Sequence, residues 1–350
     1  MKIFNSLVLA LAMICLSACT QIAYYTQAIQ GHMALVQAAK PVDVWLQDPA
    51  TSAKLKQRLQ LAQKIRAYAV AELGLPDNPS YHSYAQLDRP YVLWNVVAAP
   101  ELSLQAVQWC FPIAGCVSYR GYYHVAAAEN FAESLRSQGY EVRLEPIQAY
   151  SNLGWMNDPL ISTFIYANDA YLARMIFHEL AHQVVYAKGD TAFNEAFATA
   201  VEQLGVERWL AQQSDPALLA NYQNEQSKSW EFNRMLLATR EKLQQLYAEA
   251  IPDNDKRHAK QTILNDLKTQ YQQLKLTWSG NANFDRWFEQ PINNANFISV
   301  ANYHDLVPAF RALFEQHQES FPEFYRAVKS LADEDADVRQ QKLKNLQIGI

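Results

Sequence analysis

No run of lysine and arginine occurs anywhere in the chain, and its formal net charge is -5. With no nucleic-acid motif to set against that balance, there is no reason to expect a polyanionic partner, and no nucleic acid is expected to bind. Internal repeats are absent, which argues against a solenoid or an array. Cysteine is scarce, four in 350 residues, so the fold is not a disulfide scaffold. What is abundant is apolar surface. Half the residues are hydrophobic, enough for a large core in one big domain or two intimate ones.

The N-terminus reads as a processing segment. Lys2 supplies a positive start, and Ile3 to Leu16 form an apolar stretch too short for a comfortable membrane span. It ends in Leu16-Ser17-Ala18-Cys19, which resembles the lipobox of bacterial lipoproteins. On that resemblance residues 1–18 are a signal peptide, and Cys19 receives a lipid and becomes the first residue of the mature chain. An ordinary secretory signal with a coincidental cysteine is the alternative, and either reading exports the protein. Thr20 after the cysteine is compatible with outer-membrane sorting. No Gly/Ser/Pro-rich tether follows, so the folded body is expected close to the membrane surface. Cys15 leaves with the signal. Cys110 and Cys116 remain as an even pair in an oxidising compartment, where a disulfide is expected. A spacing of six with no Cys or His close by is poor zinc geometry.

Hydrophobic periodicity predicts helix over Thr20–Gln47 and again over Thr51–Leu73, where Leu55, Leu59, Ala62, Ile65 and Ala69 share a face before Gly74. The middle changes character. Tyr91–Ala98, Tyr119–His124 and Tyr140–Ile147 are extended candidates for a small mixed or antiparallel sheet, with a helix over Ala126–Gln138. A continuous helix is expected from about Asn168 to Lys188, then a break at Gly189, with Asp190 as N-cap of a second helix to about Gln212. Two long amphipathic helices follow, separated by Pro252. Helices are also expected over Tyr303–Phe314 and Phe321–Leu331, with a solvated, frayed stretch from Asp333 to Leu346. The fold class is therefore α+β and helix-dominated. Residues 19–350 are expected as a single domain, made of N-terminal helices (19–90), a small sheet (91–150), a central helix pair (151–215) and a C-terminal helical part (216–350).

The chemistry is concentrated between Phe177 and Glu202. His178, Glu179 and His182 form H-E-x-x-H, in which a helix puts two imidazoles on one face with a carboxylate beside them. Chance produces this pattern about once in a hundred chains of this length, so context must decide. The surrounding residues Met175, Ile176, Phe177, Leu180, Ala181, Val184 and Val185 are apolar. Burying three polar side chains among them without partners would cost several kcal/mol, and a metal explains their presence. Zinc held by three protein ligands keeps a fourth position for water and lowers the pKa of that water. Glu179 is placed as general base and then acid. A second helix after the turn at Gly189 brings Glu195 to the metal as third ligand. Glu202, two turns further on the same face, can accept a hydrogen bond from the free nitrogen of a ligand histidine, or be a solvated helix charge.

HELAHQ followed by NEAFATAVE resembles the gluzincin zinc peptidases of the aminopeptidase N type, with a shorter gap between the motifs, Ala196 in place of the usual Gly and no G-x-M-E-N strand. Most of the mature chain is similar to a bacterial lipoprotein family of predicted aminopeptidases. Trp109-Cys110-Phe111-Pro112, Tyr119-Arg120-Gly121-Tyr122, Ala149-Tyr150-Ser151 through Asp158-Pro159 and Tyr303-His304-Asp305-Leu306-Val307-Pro308 carry that likeness. The resemblance implies a zincin-like core, one zinc ion and a peptide substrate. Tyr303 and His304 are candidates for stabilising the oxyanion of the scissile carbonyl, with a core tyrosine and a satisfied histidine as the plain alternative. Glu101 is a candidate partner for a substrate amine, with a surface glutamate as its commoner fate. Two further readings stay open: a zinc endopeptidase or other envelope amide hydrolase, and a non-catalytic zinc-containing lipoprotein scaffold.

Overall fold

A computed structural model describes residues 22–111, 115–149, 157–298, 300 and 306–348. Helix is the dominant element, and the strands form small sheets of two or three, which is the α+β class expected. Among the described residues no helix is long and apolar enough to cross a membrane.

Helix α1 runs over residues 22–38 and stops where Pro41 removes a backbone donor, so the helix expected to continue to Gln47 is broken. Ala39–Pro41 become strand β1, and the chain resumes as α2, Val42–Gln47. Helix α3, Ala53–Ala71, starts where Ser52 Oγ accepts from Leu55 N at 3.2 Å. Its buried face is Leu55, Leu59, Ala62, Ile65 and Ala69, as the periodicity predicts.

Two three-stranded sheets follow. In the first, β1 pairs antiparallel with β2 (Ser83–Ala85), which pairs parallel with β8 (Leu160–Ile161). These strands are too short to show a period in the sequence, and none was expected. The second lies where a mixed or antiparallel sheet was expected and is antiparallel, with β3 (Leu93–Pro100) between β6 (Arg120–Tyr122) and β7 (Tyr140–Ile147). Helix α4, Val125–Arg136, packs on it through Ala128, Ala132 and Leu135. Between β3 and β6 lies a hairpin, β4 (Trp109–Phe111) with β5 (Gly115–Val117), in which Cys110 faces Cys116 and the two are bonded.

The largest core gathers α3, α5 (Asp169–Ala181), α6 (Thr191–Ala211), α9 (Val307–Gln316) and α10 (Phe321–Ala332). Phe310 of α9 sits between Phe193 and Phe197 of α6, with ring centroids 5.2 and 5.9 Å away. Helices α7 (Pro216–Ala248) and α8 (Asp253–Thr277) are the two long helices expected on either side of Pro252, and they pack on each other as a hairpin. They bury Phe232, Leu236, Leu243, Leu264, Leu267 and Tyr271 in a second cluster, closed by Phe284 and Phe288 stacked at 4.2 and 4.4 Å on Phe232 and Tyr271.

The C-terminal stretch expected to fray is helix α11, Ala336–Ile348. Leu343 is fully buried, and Arg339 reaches Asp190 Oδ2 at 2.9 Å while also donating to the Ala332 and Glu334 carbonyls. A charged composition hid this because the arginine is spent on internal acceptors rather than on water.

Candidate metal centre

Helix α5 starts at Asn168, whose side chain accepts from Tyr171 N at 2.8 Å, and delivers His178 and Glu179 in its last turn. His182 is the C-cap residue, so the helix ends there instead of continuing to Lys188. The cause lies in α6. Asn194, 2 % exposed, accepts from Ala187 N and donates to Ala187 O, both at 2.8 Å. A longer α5 would break both bonds, and this amide clip fixes the connecting loop against α6. The loop turns at Gly189, φ +81°, a conformation glycine adopts without strain. Asp190 then caps α6 by accepting from Phe193 N at 3.0 Å.

The two helices approach closely. A Cβ on Gly205 would lie 2.7 Å from Leu73 Cδ1 and 3.0 Å from Phe177 Cδ2, so α6 can sit against α5 only because that position has no side chain. Glu195 and Glu202, seven residues apart, face α5 together.

Three ligand-type atoms converge there. His178 Nε2 and His182 Nε2 are 3.2 Å apart, and Glu195 Oε2 lies 3.4 Å from the first and 3.7 Å from the second. Ligands about 2.05 Å from a tetrahedral ion are separated by about 3.3 Å, so this triangle has the size of one tetrahedral face. Behind it, Glu202 is 2 % exposed; its Oε2 accepts from His178 Nδ1 at 2.9 Å, while Oε1 accepts from Arg174 Nε at 2.6 Å. A proton held on Nδ1 leaves the lone pair of His178 on Nε2, toward the triangle.

Electrostatics point the same way. Burial pushes the His178 imidazole down, but the carboxylates of Glu195 and Glu202 outweigh it and raise the group well above the ordinary histidine range. His182, buried with weaker compensation from Glu195, is lowered to about 4. Burial favours neutral Glu195 and Glu202, yet the two histidines beside Glu195, and Arg174 with His178 beside Glu202, hold both below the usual carboxylate range. Glu179 is raised to about 7, first by burial and then by Glu195, Asp158 and Glu202, with His178 opposing. Glu179, Glu195 and Glu202 all act on His178, and of the three only Glu202 is paired with a guanidinium, Arg174, among the described residues. The donor set, its spacing and this surplus of negative charge all fit a divalent cation.

Arg174 was not among the expected site residues, although its place one turn before His178 in an apolar helix was a legible signal. Nor was the clipping role of Asn194 expected. Glu101 is not brought to the cluster: its carboxylate takes Arg257 Nε of α8 at 2.9 and 3.0 Å, and its carbonyl accepts from Lys260 at 2.8 Å. Tyr303, His304 and Cys19 lie outside the described residues.

His178, His182 and Glu195 form the group of side chains arranged to hold a metal ion among the described residues. No curated protein and no solved structure matches the chain. A family model described as "Putative aminopeptidase" matches residues 23–343, nearly the whole length. The chain belongs to that family.

Proposed function

We propose that this chain is a one-zinc peptidase of the bacterial envelope, acting as an aminopeptidase and anchored by a lipid on Cys19 at the periplasmic side, with the outer membrane as its expected place. The observation that carries the reading is the triangle of His178 Nε2, His182 Nε2 and Glu195 Oε2 at tetrahedral spacing, with the half-buried Glu179 next to His178 in the chain. Family membership supports peptide hydrolysis, and the lipobox-like Leu16-Ser17-Ala18-Cys19 supports the anchor.

His178, His182 and Glu195 would hold the zinc, which supplies Lewis acidity to a water molecule and to the scissile carbonyl. Glu179 takes a proton from the attacking water at its carboxylate and delivers it to the nitrogen of the departing amine. Glu202 holds the Nδ1 proton of His178, and Arg174 holds Glu202, so the imidazole cannot turn its lone pair away.

Glu179→Gln is the test. The amide keeps the size and cannot take a proton, so turnover of aminoacyl reporters is expected to fall about 10²- to 10⁴-fold with zinc still bound. Loss of zinc along with turnover would make Glu179 a structural residue and overturn its assignment.

A further inference from the structure

A second feature lies at the start of α6, one helical turn before Glu195. A cavity of about 310 Å³ is bounded by Leu104, Ala106 and Gln108, by Cys116 of the disulfide hairpin, by residues 189–192 at the start of α6, and by Arg240 of α7. That volume is at the lower end of the range for sites that take small molecules. Thr191 lines it, and Glu195 follows at i+4, so these two residues share one face of α6, about 6 Å apart along its axis.

The charge of this cavity is set by Arg240. Asp190, the acidic residue in its wall, is already satisfied: Oδ1 caps Phe193 N, and Oδ2 is paired with Arg339 at 2.8 Å. No carboxylate pairs with Arg240 among the described residues. Its one hydrogen bond there is a 3.5 Å contact to Gln244 one turn on, and its Nε is buried without a partner. A guanidinium with an unspent donor, in a small cavity whose own acid is neutralised, is suited to an anion brought from outside, and its planar fork matches a carboxylate.

We propose that Arg240 holds the C-terminal carboxylate of the substrate, so that the natural substrates are short peptides with a free C-terminus. This rests on the reading of the metal centre as a peptidase site. The cavity begins one helical turn of α6 from Glu195, which is why the proposed substrates are short.

The test uses the full mature chain loaded with zinc, with trialanine and trialanine amide as probes. Turnover is expected to favour the free acid by about tenfold or more in kcat/KM through KM, the weight of one charge-assisted hydrogen bond. Arg240→Gln is expected to bring that ratio close to one, and Arg240→Lys to restore part of it. Equal loss on both probes in Arg240→Gln, or an unchanged ratio, overturns the proposal. Calorimetric titration of the Glu179→Gln protein with the same two peptides separates this inference from the peptidase reading. Preference for the acid that disappears with Arg240→Gln supports the carboxylate site even if no turnover occurs. Equal binding of acid and amide overturns it even if the enzyme is active.

Discussion

Replacing Glu202 with glutamine perturbs the centre without touching a ligand atom. The wild-type carboxylate is 2 % exposed and works at both ends, accepting from His178 Nδ1 at 2.9 Å and from Arg174 Nε at 2.6 Å. The substituted amide can satisfy one of those donors through its carbonyl oxygen and presents its N–H protons to the other, which is itself a donor. The imidazole then loses the negative charge that makes it a stronger ligand, and Arg174, with its side chain 39 % exposed, turns toward water. Loss of such a supporting carboxylate typically weakens a metal site about 10- to 100-fold, or about 1.4 to 2.7 kcal/mol. Competition against a chromogenic chelator at fixed pH measures it, with unfolding of the metal-free protein as control for a fold defect. Zinc affinity within twofold of wild type, in a normally stable variant, would refute the role given to Glu202.

Asn194→Ala removes both hydrogen bonds to Ala187 and leaves a buried N–H and carbonyl unpaired; a loss of about 2 to 5 kcal/mol in denaturant unfolding is expected, with weaker zinc binding as Glu195 loses its placement. Gly205→Ala forces a Cβ to 2.7 Å from Leu73 Cδ1, and its overpacking should cost about 1 to 3 kcal/mol in the same assay. Arg339→Met leaves Asp190 without its ion pair and the Ala332 and Glu334 carbonyls without a donor, so α11 should lose protection in hydrogen exchange before α6 does. Thiol titration of the denatured, non-reduced protein should find Cys110 and Cys116 unreactive, and two free thiols would contradict the bond.

The centre was legible because its parts repeat at helical spacing within two neighbouring segments. His178, His182, Glu195 and Glu202 needed only the period of the helix and a turn at Gly189 to be placed on facing sides. Strand β7 was legible for a similar reason, its alternation giving Tyr140–Ile147 directly. What escaped was decided by distant partners. The end of α5 depends on Asn194, the order of α11 on Asp190, and the sheet of β1, β2 and β8 joins segments from three parts of the chain, each too short to carry a period. Glu101 looked available only because the sequence does not reveal Arg257 and Lys260 coming from α8.

The central claim is a single zinc on His178, His182 and Glu195 serving hydrolysis. Metal-depleted protein titrated with zinc, read at once for bound metal and for turnover of an aminoacyl reporter, tests it most directly. Bound zinc saturating at one ion per chain, with activity rising in step and both lost in His182→Ala, is the predicted result. Turnover that is indifferent to zinc, or zinc binding that survives His182→Ala unchanged, would contradict it.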